Sequence, residues 1–408
     1  MAHDASGRVD VLTGNGPVRE GYRAGLLGEE EKMALSTSEF KGRFGFGAMR
    51  LPMKGAEPDY ELCNQMFDRF LEVGLNYFDT AHVYLGGKSE VALRESLVKR
   101  HPRESFFLVD KLTHGTFRDP ASIRQTFQDE LDACGVEYFD LLLAHAVNSA
   151  HYDMYTRQGV FEVAKELVAD GRARHFGISY HDGPELLERI LDEHPEIEAV
   201  QLQINYEDWE SPSVRSREVY EVATAHGVPV IVMEPCKGGQ LVNLPDVAQA
   251  ALDAAPNPEG LSNAGFALRF CATQPNVAMV LSGMNTMDQV EDNLHSMAGD
   301  PAPLTAEQLE ALRNVHEAFA SLGMIACTAC HYCTDGCPKR IMIPELFADL
   351  NTKRVFGGWN PGWYFENVHT VDGHAKPSEC IKCGKCEREC PQGLPIRQLL
   401  TEVAAEFE

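Results

Sequence analysis

Short apolar runs alternate with stretches of helical period along most of this chain. Apolar, β-branched and aromatic residues gather at Phe44 to Leu51, Asn76 to Thr80, Ser105 to Lys111, Tyr138 to His145, His175 to Ser179, Ala199 to Asn205, Pro229 to Met233 and Val277 to Ser282. Runs of this length, bounded by polar or turn-forming residues, predict buried strands. Between them the period lengthens. Leu62, Met66, Phe70 and Val73 fall at helical spacing within Pro58 to Val73, and further helices are predicted over Asp119 to Ala133, Gly183 to Glu193 and Ser213 to His226. Eight strand–helix units over about 250 residues have the size of a closed (β/α)8 barrel, whereas a doubly wound open sheet stops at about six strands. The predicted fold is therefore α/β, a TIM barrel.

The flanks break the pattern. Residues 1–41 are polar and glycine-rich, carry Glu29-Glu30-Glu31 and show no period, which predicts an extension that is partly disordered or covers one barrel end. The barrel is assigned to 42–304. A helix at 305–322 opens with Thr305 and Gln308, a capping-box pair. From 323 to 408 the composition changes abruptly, and eight of the twelve cysteines lie between Cys327 and Cys390. With 408 residues the chain is long enough for a barrel and this smaller module. A formal charge of −25 repels phosphate backbones and argues against a nucleic-acid role. No apolar run approaches the roughly 18 residues of a membrane helix, and the first residues fit no secretory signal, so a cytoplasmic protein is expected, with no membrane role.

Three successive predicted strands place an ionisable residue at their carboxyl ends: Asp79, Lys111 and His145, with Tyr84 five residues after Asp79. In a parallel α/β barrel those ends converge on one mouth, where active sites lie. In order, spacing and strand context these four residues match the catalytic tetrad of the aldo-keto reductases, and the resemblance covers roughly residues 42 to 297. It implies a hydride transfer in which Tyr84 donates a proton, Lys111 lowers the phenol's pKa, Asp79 anchors Lys111, and a neutral His145 orients the carbonyl. It further implies a nicotinamide site. Ser179 contacts the nicotinamide amide, with Tyr180 where the family usually has asparagine. Gln201 holds the carboxamide beside Asn205. Met233 replaces the usual aromatic stacking residue, so contact there is through sulfur. Ser282, Gly283, Asn285, Gln289 and Asn293 align with the adenosine-phosphate loop, but Gly283 and Gln289 stand where a lysine and an arginine commonly grip a 2′-phosphate. Without those cations a 2′-phosphate has little to pair with, and NADH fits at least as well as NADPH.

The cysteines form two runs, Cys327, Cys330, Cys333, Cys337-Pro338 and Cys380, Cys383, Cys386, Cys390-Pro391. This is the bacterial ferredoxin signature for two [4Fe-4S] clusters, in which the fourth cysteine of each run serves the other cluster. The signature implies one ligand set of Cys327, Cys330, Cys333 and Cys390 and a second of Cys380, Cys383, Cys386 and Cys337, within a mainly helical ferredoxin-like domain. Structural zinc also uses Cys-x-x-Cys pairs but has no use for four-cysteine runs ending in proline. The segment Gly357 to Phe365, holding two of the three tryptophans, is expected to pack the module against the barrel. Cys63, Cys134 and Cys271 read as small core residues, and Cys236 lies beside Lys237, which would lower its pKa.

These readings converge on an iron–sulfur aldo-keto reductase acting on a small-molecule carbonyl or alcohol with NAD(P)H, with a redox partner protein for the clusters. Clusters pass single electrons and nicotinamide a hydride, so direct coupling needs a two-electron gate such as a flavin, for which no motif is seen. Two alternatives stay open: a flavin- or ferredoxin-linked enzyme that does not use nicotinamide, and an electron-transfer subunit whose barrel only docks.

Overall fold

Each apolar run becomes a strand, and the strands close on themselves. In this computed structural model, which describes residues 35–210, 214–299, 301–356, 361–362, 365–371 and 373–408, the barrel strands are β1 (Phe44–Gly47), β2 (Tyr77–Asp79), β3 (Phe107–Leu112), β4 (Phe139–Val147), β5 (Ala173–Tyr180), β6 (Ala199–Gln203), β7 (Val230–Met233) and β8 (Val277–Gly283). All pair in parallel in the cyclic order β1-β8-β7-β6-β5-β4-β3-β2, and β2 returns to β1. Strands β3 and β4 are buried along their whole length, which is why they show no alternation of apolar and polar residues. The register aligns Gly47 with Asp79, Asp79 with Val109, Lys111 with Leu143 and Ser179 with Gln201. The ionisable strand ends are thereby brought to one rim.

Tyr77, Phe107, Leu141, Leu143, Ile231 and Met279 fill the barrel interior. Leu35 and Phe40 join that cluster from outside the barrel, and Phe40 sets its ring edge-on to Tyr77 and Phe107 at 5.3 and 5.1 Å between centres. The end of the N-terminal extension thus stoppers the barrel floor, opposite the functional rim. The expectation for residues 1–34 lies outside the described residues. Thr305 forms the predicted capping box with Gln308, and Asp119 forms another with Ser122. The helix Ala306–Leu322 packs on Asp246–Asp253, and its Leu312 and Val315 enter the barrel's outer core.

After Gly323 the chain builds a separate core from Ile341, Ile343, Leu346, Phe347, Phe365, Leu400 and Val403, around the helices Ile343–Phe356 and Ile396–Phe407. Most of the tryptophan-bearing segment lies outside the described residues. Its last residue, Phe365, stacks on Phe407 inside this module. The module covers the barrel mouth. Gln203 at the end of β6 and Gln392 exchange amide hydrogen bonds of 2.9 and 2.6 Å, both side chains nearly water-free at 5% and 2% exposure. Gln240 donates to the Cys327 carbonyl. At Gly238, φ is +63° and a Cβ would stand 2.4 Å from the Thr328 carbonyl oxygen, so only glycine allows the two backbones this close.

Replacing Gln392 by Leu should leave the buried side-chain oxygen of Gln203 without a donor, its nitrogen still bonded to Asp208, and cost about 1–3 kcal/mol of folding free energy, read as a lower denaturant midpoint in urea.

Candidate functional site

The rim chemistry starts from a buried charge. Lys111 is fully inaccessible, and its ammonium donates to Asp79 Oδ1 at 2.5 Å and to the Thr80 carbonyl at 2.6 Å. The other oxygen of Asp79 accepts from Gln201 Nε2 at 2.9 Å, across the barrel from β6. Tyr84 returns to this pair through a turn in which Leu85, Gly86 and Gly87 have φ of 53°, 64° and 84°. Its ring lies under Lys111, Nζ standing 5.0 Å from the ring centre, and meets His145 edge-on at 5.8 Å between centres. No protein group among the described residues hydrogen-bonds the Tyr84 hydroxyl. Thr113 Oγ1 occupies His145 Nδ1 at 2.7 Å, which leaves Nε2 as the free ring nitrogen.

Electrostatics amends one expectation. Burial, followed by the carboxylates of Asp79, Asp110 and Glu234, holds the Tyr84 phenol well above its ordinary range. Lys111 faces the ring and is already committed to Asp79, so the predicted lowering of the phenol by Lys111 does not occur in the resting site. Burial and the nearby ammonium of Lys111 keep His145 well below the usual imidazole value, so it is neutral as expected. Cys236 also departs from expectation. Burial and Glu234 raise its thiol to about 12, and Lys237 is bound to Asp208 instead.

A cavity of about 540 Å³ joins these groups to the proposed cofactor residues. Asp79, Tyr84, His145, Ser179, Gln201, Met233, Ser282, Gly283, Asn285, Gln289 and Asn293 all line it. Lys111 stands behind the wall. Asn205 is not part of the lining, because its side chain is consumed by Asp208, Glu207 and the Glu234 carbonyl in a bracing network. Ser179 Oγ accepts from the Ala146 backbone at 2.7 Å, and Asn293 donates to Ser282. Near β8 the lining adds Arg50 and three carboxylates, Glu234, Asp288 and Asp292; one oxygen of Glu234 is buried without a partner.

The cavity has a roof that strand-end reasoning does not predict. Thr328, Cys330, Tyr332 and Pro391 of the module line it together with Asp79, Tyr84 and His145. A second cavity of about 890 Å³ lies between rim and module and shares His145, His181, Gln203, Tyr332 and Pro391 with the first. The cysteines gather in the predicted two sets: Cys327, Cys330, Cys333 and Cys390 around one small void, and Cys337, Cys380, Cys383 and Cys386 around another. Cys63, Cys134 and Cys271 are buried in the barrel as expected. Arg50, Thr113, His181 and Tyr332 went unpredicted. Only His181, two residues after Ser179, carried a positional hint.

Residues 43–317 match the aldo/keto reductase family and residues 326–395 match a 4Fe-4S dicluster domain. The chain belongs to the aldo/keto reductase family and carries an iron–sulfur dicluster domain at its C-terminal side. It is similar to "Uncharacterized oxidoreductase YqkF" of Bacillus subtilis, 26% identical over 69% of this chain and 95% of that one. Among solved structures, aldo-keto reductase AKR11C1 from Bacillus halodurans aligns with a TM-score of 0.56 and 25% identity, covering 67% of this chain and 91% of the other. An aldo-keto reductase from Klebsiella pneumoniae in complex with NADPH aligns over 67% and 90% with a TM-score of 0.55, and at 20% identity this likeness concerns the fold. The protein is thus an oxidoreductase of this class. No helix among the described residues is long and apolar enough to cross a membrane.

A pH dependence follows from the neutral histidines. His145 and His181 are both depressed by burial, His181 to about 4, while the unfolded chain takes up these protons near pH 6.5. Protonation therefore favours unfolding. The contribution of these two histidines should be level above about pH 6.5 and fall below it, by at most about 1.4 kcal/mol per pH unit for each, as read from the difference in urea midpoints between wild type and His181→Gln from pH 7.5 to 5. His181→Gln should shallow that fall.

Proposed function

We propose that this chain is a nicotinamide-dependent carbonyl reductase with two iron–sulfur clusters beside the reaction chamber. The observation that carries the reading is the convergence of Asp79, Tyr84 and His145 on one cavity, with Lys111 paired to Asp79 behind its wall. When bound, the nicotinamide supplies the hydride. His145 Nε2 orients the substrate oxygen, and Tyr84, neutral because its pKa is raised, hands its proton to the nascent alkoxide. The phenolate left behind faces the Lys111 ammonium, which Asp79 and Gln201 hold in place. The raised pKa places this stabilisation in the transition state rather than in the resting enzyme.

Ser179, Gln201 and Met233 of the chamber lining would hold the nicotinamide, and Ser282, Asn285 and Gln289 its adenosine. Glu234, Asp288 and Asp292 supply acceptors suited to ribose hydroxyls and repel a 2′-phosphate, so the reading favours NADH. The two thiol sets suit [4Fe-4S] clusters in donor type and number. Because Cys330 is part of the chamber wall, the first set would hold a cluster near the substrate, and the second, which includes exposed Cys383, would face an electron-transfer partner.

Tyr84→Phe should lower kcat/KM for NADH-linked carbonyl reduction by about 10²–10⁴-fold with iron content unchanged; undiminished turnover would remove the mechanism. Gln289→Arg should shift the NADPH/NADH ratio of kcat/KM toward NADPH by roughly tenfold, because it returns a bidentate phosphate partner to the adenosine loop.

A further inference from the structure

We propose that His114, His151 and Glu389 form a binding site for a divalent cation of the zinc class that bridges barrel and module. The three come from separate parts of the fold. His114 follows β3, His151 lies in the first turn of the helix Ser149–Gln158 after β4, and Glu389 directly precedes Cys390 in the module. One ligand atom from each lies within 4.8 Å of the others. Glu389 is one-third exposed, and movement of its side chain together with the His114 ring brings the set toward the 3–3.5 Å spacing of about 2.1 Å bonds around one ion.

His151 is prepared to coordinate. Its Nδ1 lies 2.6 Å from the Ala146 carbonyl, which can only accept, so Nδ1 carries the hydrogen and Nε2 keeps its lone pair. Metal-bound histidines are held in this way by a backbone carbonyl behind the ring. That carbonyl is itself fixed, because Ala146 sits at φ 53° with its amide bonded to Ser179 Oγ at 2.7 Å. Nε2 then stands 3.9 Å from Glu389 Oε2, too far for a hydrogen bond and close enough for two ligands of a shared ion.

His114 supplies an independent sign. Its Nδ1 is buried with no hydrogen-bond partner, a cost that a native fold normally relieves with a ligand or water. The two imidazoles stack at 3.8 Å between centres and 25°, so their in-plane lone pairs run side by side, and binding one ion also turns the His114 ring out of the stack. Stacking alone accounts for the ring contact but not for the unpartnered nitrogen or the converging carboxylate. Two imidazoles and one carboxylate match the borderline nitrogen/oxygen preference of zinc and leave a fourth position open. All three residues line the 890 Å³ cavity that also contains His145 and His181, so the open position meets water or a substrate oxygen. This inference stands apart from the nicotinamide reading, since it uses neither the tetrad nor the adenosine loop.

The test uses full-length, anaerobically purified protein with its clusters in place, cleared of loose metal on chelating resin and titrated with zinc sulfate against a chromophoric chelator. One zinc per chain is expected, with a nitrogen/oxygen shell near 2.0 Å by X-ray absorption and no sulfur shell at about 2.3 Å. His151→Gln and Glu389→Gln should each weaken binding at least tenfold with iron and sulfide contents unchanged. If Glu389→Gln loses iron through its neighbour Cys390, the barrel variant His114→Gln decides. No retained zinc, a sulfur shell, or wild-type affinity in the His114 and His151 variants overturns the site.

Discussion

The ion pair of Lys111 with Asp79 is the constraint that the reaction chamber depends on. An ammonium withdrawn from water is tolerated only when it is paired and its hydrogens are satisfied, and removing one partner of a buried pair typically costs about 3–5 kcal/mol. Here the partners arrive from different strands: Asp79 from β2, Lys111 from β3, and Gln201 from β6 opposite. Asp79 and Lys111 meet across neighbouring strands, whereas Gln201 reaches Asp79 only once the sheet has curled round to bring β6 opposite. Closing the barrel therefore completes the site. The left-handed turn after Tyr84 then carries the phenol back over the finished pair.

Much of this was legible from sequence because a parallel barrel is buried on both strand faces and leaves unbroken apolar runs. All eight runs became strands, and Asp79, Lys111 and His145 come to one rim because strand ends in this fold share one mouth. The cysteine sets were legible for a different reason, since their spacing alone encodes which thiols meet. Burial was not legible. That Tyr84 is raised rather than lowered depends on how much protein surrounds the phenol, and that Asn205 braces Asp208 rather than facing the chamber depends on a loop conformation.

The seam between the two modules was the least predictable feature. It rests on a near-touch of backbones at Gly238, a pair of reciprocal amides at Gln203 and Gln392, and one glutamine bonded to the Cys327 carbonyl. None of these has a periodic or compositional signature. Together they convert the module from an appendage into a wall of the chamber.

That shared wall gives the first thiol set a second duty. The loop that presents Thr328, Cys330 and Tyr332 to the chamber also carries three of the four thiols of that set, so whatever ties those thiols together also fixes the height of the ceiling over Tyr84 and His145.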